Sequence, residues 1–168
     1  MEDCANGYAA YILELVETAK QSCGDPIVLI EQRLDFSKYV EGGFGTGDCV
    51  LISDGTLHIV DYKHGQGVLV EVEDNPQMML YALGALEIFD GIYNIDSVSM
   101  TIYQPRRDNV STHTVFKESL YQWAEEVLRP AAELAYAGDG NFKSGDWCRF
   151  CKAQVPGQSR TQSGTRST

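Results

Sequence analysis

The chain has 168 residues, 43% of them hydrophobic, with 24 acidic against 13 basic side chains and a formal net charge of −11. That length suits one globular domain with a real core, and nine Tyr, six Phe and two Trp exclude a solvated acidic tail or a generally disordered chain. No apolar run reaches the ~18 residues of a membrane span, and Met1-Glu2-Asp3-Cys4 lacks the basic then apolar profile of a secretory signal. The expected setting is therefore cytoplasmic, with no membrane partner. Taken alone, the charge disfavours nucleic acid, because phosphate binding relies on Lys and Arg displacing condensed counterions. It is also uneven: without Lys152, Arg160 and Arg166, residues 1–151 carry −14.

Apolar residues at helical spacing from Tyr8 to Lys20 predict a first helix, stopped by Gly24-Asp25-Pro26. A β-branched run from Ile27, continuing through Phe36, predicts a strand. Glu41 to Gly47 is rich enough in glycine to read as a loop. Asp48–Ser53 and Thr56–Lys63 then read as two strands of a hairpin closed by Asp54-Gly55. If Ser53 faces Thr56, Val50 faces Ile59 and Asp48 faces Asp61. Period-two alternation puts Asp48, Val50, Ile52, Leu57, Ile59, Asp61 and Lys63 on one face and His58 on the other. Asn75-Pro76 opens a helix running to about Phe89, and Ser97–Gln104 alternates as a half-buried strand. Leu120–Tyr136 reads as a helix divided or kinked at Pro130. Residues 1–152 form the expected domain and 153–168, polar throughout, a disordered tail.

Two carboxylates directly opposed on neighbouring strands repel, so Asp48 and Asp61 need a reason. One is a divalent cation: Mg2+ or Mn2+ takes carboxylate oxygens and keeps waters, the backbone carbonyl of Tyr62 would lie close to it, and Lys63 could meet charge on a phosphate. The other is that Asp48 merely leaves a loop and Asp61 is solvated at a strand end. Gln77 and Tyr81, one helical turn apart, share a face of the following helix and can donate hydrogen bonds to phosphate or to the groups holding the lysine.

Gly45-Thr46-Gly47-Asp48, Asp61-Tyr62-Lys63 and Gln77-Met78-Met79-Leu80-Tyr81, in that order, resemble the GxxD, (D/E)xK and QxxxY series of the RecB-like branch of the PD-(D/E)XK nucleases. EQRLDFS, DYKHGQG, QPRRDN and GDWCRFC are similar to a phage and prophage family related to the CRISPR-associated RecB-type exonucleases. The resemblance spans roughly Tyr8 to Lys152. It implies an α/β fold, a mixed central sheet flanked by helices around a PD-(D/E)XK core. It further implies a metal-dependent DNA exonuclease of phage or prophage recombination, with Asp48, Asp61 and Lys63 catalytic, the two aspartates ligating Mg2+ or Mn2+, and Gln77 and Tyr81 supporting the site and contacting DNA.

Glu31, at the edge of the first strand, is a further candidate ligand; Glu14 and Glu17 are weaker ones, and His64 reads as a solvated loop residue. Members of that branch usually carry an upstream His motif, which has no match here, and many hold a 4Fe-4S cluster on one early and three late cysteines. Cys148 and Cys151 match the CxxC part as an Fe-S or zinc remnant; with Cys4 or Cys23 the count reaches three, short of the four a cluster or structural zinc needs. An incomplete cluster is expected. The rival reading is a catalytically silent nucleic-acid or protein-binding module on the same scaffold; a CxxC redox protein is a third. For either of the first two, the acidic surface calls for help in gripping DNA, from a homo-oligomer or a basic phage recombination partner.

Overall fold

A computed structural model describes residues 2–65 and 68–141. The elements run α1 (Glu2–Ser22), β1 (Ile27–Asp35), β2 (Phe44–Ser53), β3 (Thr56–Tyr62), α2 (Pro76–Phe89), β4 (Ser97–Gln104), a 3-10 turn (Pro105–Arg107), β5 (Asn109–Phe116), α3 (Lys117–Trp123), a π-helical turn (Ala124–Leu128) and α4 (Arg129–Ala137). The chain divides into two compact units, Met1–Ala132 and Glu133–Thr168. The first is an α/β domain whose five strands lie in the order β1-β2-β3-β4-β5. Every neighbouring pair is antiparallel except β3 and β4, which the α2 crossover makes parallel. Among the described residues no helix is long and apolar enough to cross a membrane.

The hairpin forms as its turn residues require. Asp54 and Gly55 both take positive φ, at 46° and 74°, the conformation whose twist matches two antiparallel strands, and Ser53 faces Thr56, Ile52 faces Leu57 and Val50 faces Ile59. One sheet face carries Leu34, Val50, Ile52, Leu57, Ile59, Val98, Met100 and Ile102 under α2 and α3. The other carries Cys49 and Val60 under Ile12 of α1.

Four features differ from the sequence reading. α1 begins six residues earlier than its apolar spacing indicates. Strand β2 begins at Phe44, inside the glycine-rich segment, because Gly45 and Gly47 pair with Leu34 and Gln32 of β1. Strand β5 carries almost no apolar alternation because it is an edge strand, with Val110 50% and Phe116 70% exposed. The last helix accommodates Pro130 with a π turn, in which the Arg129 N–H bonds back to Ala124 O. The extra residue in that turn relieves the clash that a proline ring makes with the preceding turn.

Candidate active site

Four elements converge at the C-terminal end of β3. The β2–β3 ladder ends at Cys49↔Val60. Continued one step, it would bond the Tyr62 N–H to β2 backbone; that N–H instead donates to Asp48 Oδ2 at 2.7 Å. The strands splay here, and the carboxylate of Asp48 fills the gap. Asp61, the next β3 residue after Val60, is 4% exposed. Its Oδ2 lies 2.9 Å from Lys63 Nζ, yet among the described residues that buried oxygen accepts no hydrogen bond, so the pair is electrostatic, not directed. On β3 the Lys63 N–H continues the parallel ladder to Tyr103 O at 2.9 Å.

Helix α2 completes the group from above. Asn75 caps it, its side-chain oxygen accepting from the Gln77 and Met78 N–H groups at 3.1 and 3.3 Å. That cap fixes where Gln77 stands: its Oε1 accepts from Lys63 Nζ at 2.8 Å and its Nε2 donates to the Tyr81 hydroxyl at 3.0 Å. Lys63 is thus held between Asp61 and Gln77. The Tyr81 ring reaches this place because Gly45 has no side chain; a Cβ there would collide with Cε1 of Tyr81 and stand 3.1 Å from Cζ. The glycine of the GTGD stretch makes room for the tyrosine of the helix.

Glu31 sits across β1 from Asp48, between the pairs Ile30↔Cys49 and Gln32↔Gly47, but is itself unpaired and at φ 52°. Such a φ is costly for a residue with a Cβ. The kink lets Leu29 and Leu34, five residues apart, pack against the same core although strict alternation would oppose them. Glu31 is exposed, and its charge acts on Asp48. Among the described residues, however, no three His, Cys, Asp or Glu side chains are grouped to hold a metal. The residues that fit a cation are therefore Asp48 and Asp61, with the Tyr62 carbonyl. They are hard oxygen donors, one of them a buried carboxylate oxygen without a hydrogen bond, and they leave most of a coordination sphere to water and substrate, as suits Mg2+ or Mn2+.

The other candidates fall away from this point. Glu14 and Glu17 are exposed on α1, Glu17 paired with Lys20. His58 lies opposite Leu51, its pKa lowered by burial. Cys4 and Cys23 lie near opposite ends of α1, ~28 Å apart at 1.5 Å per residue, so they cannot share one metal. Cys148, Cys151 and the 153–168 tail lie outside the described residues. His64 is not a solvated loop residue: it is half-buried, its Nδ1 is 2.9 Å from the Tyr62 hydroxyl, and the two rings stack at 5.8 Å.

Sequence reasoning assigned no role to Tyr8 or to the Gln104–Asn109 stretch. Tyr8, from α1, packs against Tyr62 and Tyr103 at 5.1 and 5.5 Å. Burial first, then the charges of Cys49, Asp48 and Asp61, push its phenol far upward, and its buried hydroxyl has no hydrogen-bond partner among the described residues. Gln104, 2% exposed, donates to Val68 O and accepts from the Val70 N–H, and Asn109 donates to Val70 O. These two residues anchor the segment after His64 to the end of β4 and β5. The signal was present in QPRRDN, where two amide side chains flank a proline turn.

The fold and site define an α/β domain with a carboxylate pair, a lysine and a Gln–Tyr helix face at one end of a mixed sheet. The family model for DUF2800, described as a protein of unknown function, matches residues 1–167, and the chain belongs to that family. Among solved structures, the chain is similar to one titled "Crystal structure of SSO0001", with 13% identity and a TM-score of 0.35. The match covers 83% of this chain and 62% of that one, so the chain spans less than two thirds of it.

Proposed function

We propose that this protein is a Mg2+- or Mn2+-dependent deoxyribonuclease, built on a PD-(D/E)XK core of the RecB-like branch and acting as an exonuclease in phage or prophage DNA processing. The observation that carries this reading is the continuous chain Asp61–Lys63–Gln77–Tyr81, with Asp48 on the adjoining strand. Residues from three separate elements join through direct contacts between positions as many as 14 apart, in the order that the resemblance implies.

Asp48 and Asp61, with the Tyr62 carbonyl, would hold the cation. When bound, it lowers the pKa of a water and withdraws charge from the scissile phosphate. Lys63 places its ammonium where negative charge develops on the phosphate oxygens. Gln77 fixes the lysine by accepting a hydrogen bond from its ammonium, which leaves other N–H groups for substrate, and Tyr81 in turn accepts from Gln77. Asp48 also accepts from the Tyr62 N–H, which fixes the backbone at the end of β3.

Asp61→Ala and Lys63→Ala, checked for native circular dichroism, are expected to lose Mn2+-dependent cleavage, Lys63→Ala by about 10²–10³-fold. A parent protein that binds no Mn2+ at millimolar concentration and cuts neither single-stranded nor duplex DNA would favour the silent binding module. Full activity in both variants would move the chemistry elsewhere.

A further inference from the structure

The protein is strongly acidic, and the described cations are nearly all committed. Lys20, Lys38, Lys63, Lys117 and Arg129 are ion-paired to carboxylates, and Arg33 lies 4.0 Å over the Phe44 ring. Arg106 and Arg107 differ: both are exposed, and among the described residues neither has an ion pair or a hydrogen bond from its side chain. They share one 3-10 turn, whose φ Pro105 restricts and whose flanks Gln104 and Asn109 anchor. The turn follows β4 directly. Because β3 and β4 are parallel and Tyr62 pairs with Tyr103, both arginines project from the same end of the sheet as Asp61 and Lys63.

A run of rings from the α1 face of the sheet shares this end. Tyr62 stacks on Tyr103 at 6.2 Å and on His64 at 5.8 Å. His64 ends the run: partly buried, it has Tyr62 as its single ring neighbour among the described residues. Arg106 is close enough to act electrostatically on the Tyr62 phenol. This end of the sheet therefore brings together uncommitted positive charge, an aromatic stack and the carboxylate–lysine group. A nucleic-acid strand presents matching phosphates and bases, but its bases are free to stack only when unstacked from a partner strand.

We infer that the Pro105–Arg107 turn and the Tyr62–His64 stack grip the end of a single-stranded DNA segment, the arginines on its phosphates and His64 on a base, and lead it to Asp48, Asp61 and Lys63. This rests on the nuclease reading for its purpose but not for its test. The turn supplies local grip on a chain whose overall charge repels DNA.

The test is fluorescence anisotropy of the full chain in EDTA, where no cleavage intervenes, with a labelled single-stranded oligonucleotide, its abasic counterpart and the duplex. Single-stranded DNA with bases is expected to bind tightest. Arg106→Gln/Arg107→Gln should weaken it about tenfold or more and lower the salt slope by about 1.4, the effect of two lost phosphate contacts on a single strand. His64→Leu should lose about five- to a hundredfold and bind abasic and base-bearing strands alike, with His64→Phe restoring the preference. Unchanged affinity and slope in the double arginine variant overturns the grip. So does a parent that binds the abasic strand or the duplex as tightly, which would make the turn a general polyanion contact that an acidic protein could also use. A parent that binds in the expected way but never cleaves removes the nuclease reading and leaves the grip; one that cleaves while its binding ignores Arg106 and Arg107 does the reverse.

Discussion

Burial pushes the Asp48 carboxyl above its usual value of 3.8, the Tyr62 N–H pulls it down, and the charge of Asp61 pushes it up again, with Lys63 and Glu31 acting in smaller, opposite senses. An acid whose pKa is raised on folding binds more protons folded than unfolded, so stability falls as pH rises from 3.8 through the folded value. In the metal-free protein at neutral pH, Asp48 therefore works against folding. Asp48→Asn keeps an oxygen for the Tyr62 amide and removes the charge. In EDTA at pH 7 it is expected to raise the unfolding free energy by the ~0.5–2 kcal/mol typical of charge optimisation, and the thermal midpoint with it, while abolishing metal-dependent cleavage. Mn2+ should stabilise the parent and leave the variant unmoved. A lower midpoint for Asp48→Asn in EDTA would show that the carboxylate is already compensated. The hairpin register was readable because a two-residue Asp-Gly turn leaves one register, but the expected opposition of Asp48 and Asp61 lies past the last pair, Cys49↔Val60, where Asp48 instead accepts from the Tyr62 N–H. The strained Glu31 was not, since its φ serves a kink set by packing on both sides of it.

At the scale of elements, α2 was the most readable segment: its Asn75-Pro76 start is chemical, and the residues that close over the site follow it within two turns. Its depth on the sheet was not readable. Gly84 has Leu34 Cβ at 3.1 Å from where its own Cβ would be, and Gly45 gives its space to Tyr81; glycine here reflects approach of a partner, not a turn. Gly45→Ala is therefore expected to displace the Tyr81 ring and break its bond to Gln77. Such overpacking costs ~1–3 kcal/mol, or ~2–4 °C per kcal/mol in a domain of this size, and cleavage should fall further than in Tyr81→Phe, which loses only the hydroxyl. Differential scanning calorimetry and a cleavage assay check this. A Gly45→Ala protein with parental midpoint and rate would show that Tyr81 has another place to go. Strand β5 was missed for a related reason: an edge strand paired on one side has little apolar face for a sequence to display.

For the whole molecule, a net charge of −11 acts against compaction as well as against DNA. Exposed carboxylates such as Glu14, Glu31 and Glu118 are not ion-paired among the described residues. Their mutual repulsion is screened as the Debye length shrinks, so the thermal midpoint in EDTA should climb between about 20 mM and about 0.5 M NaCl. A flat profile would mean that the acids lie too far apart to interact.

Turn chemistry and periodicity by themselves determined the hairpin register from Ser53↔Thr56 to Cys49↔Val60 and the capped helix, because each rests on interactions within one or two neighbouring elements; the α/β class and the grouping of Asp48, Asp61, Lys63, Gln77 and Tyr81 were what the motif resemblance implied. The tertiary structure alone decided which oxygens and protons meet, that Glu31 stands apart, that Tyr8, Tyr62, His64 and Tyr103 form one group of rings, and that Arg106 and Arg107 share its end of the sheet. Those facts depend on a parallel crossover that places β4 beside β3, and on side-chain space left by glycines of other strands. No local pattern encodes contacts between segments about forty residues apart in sequence.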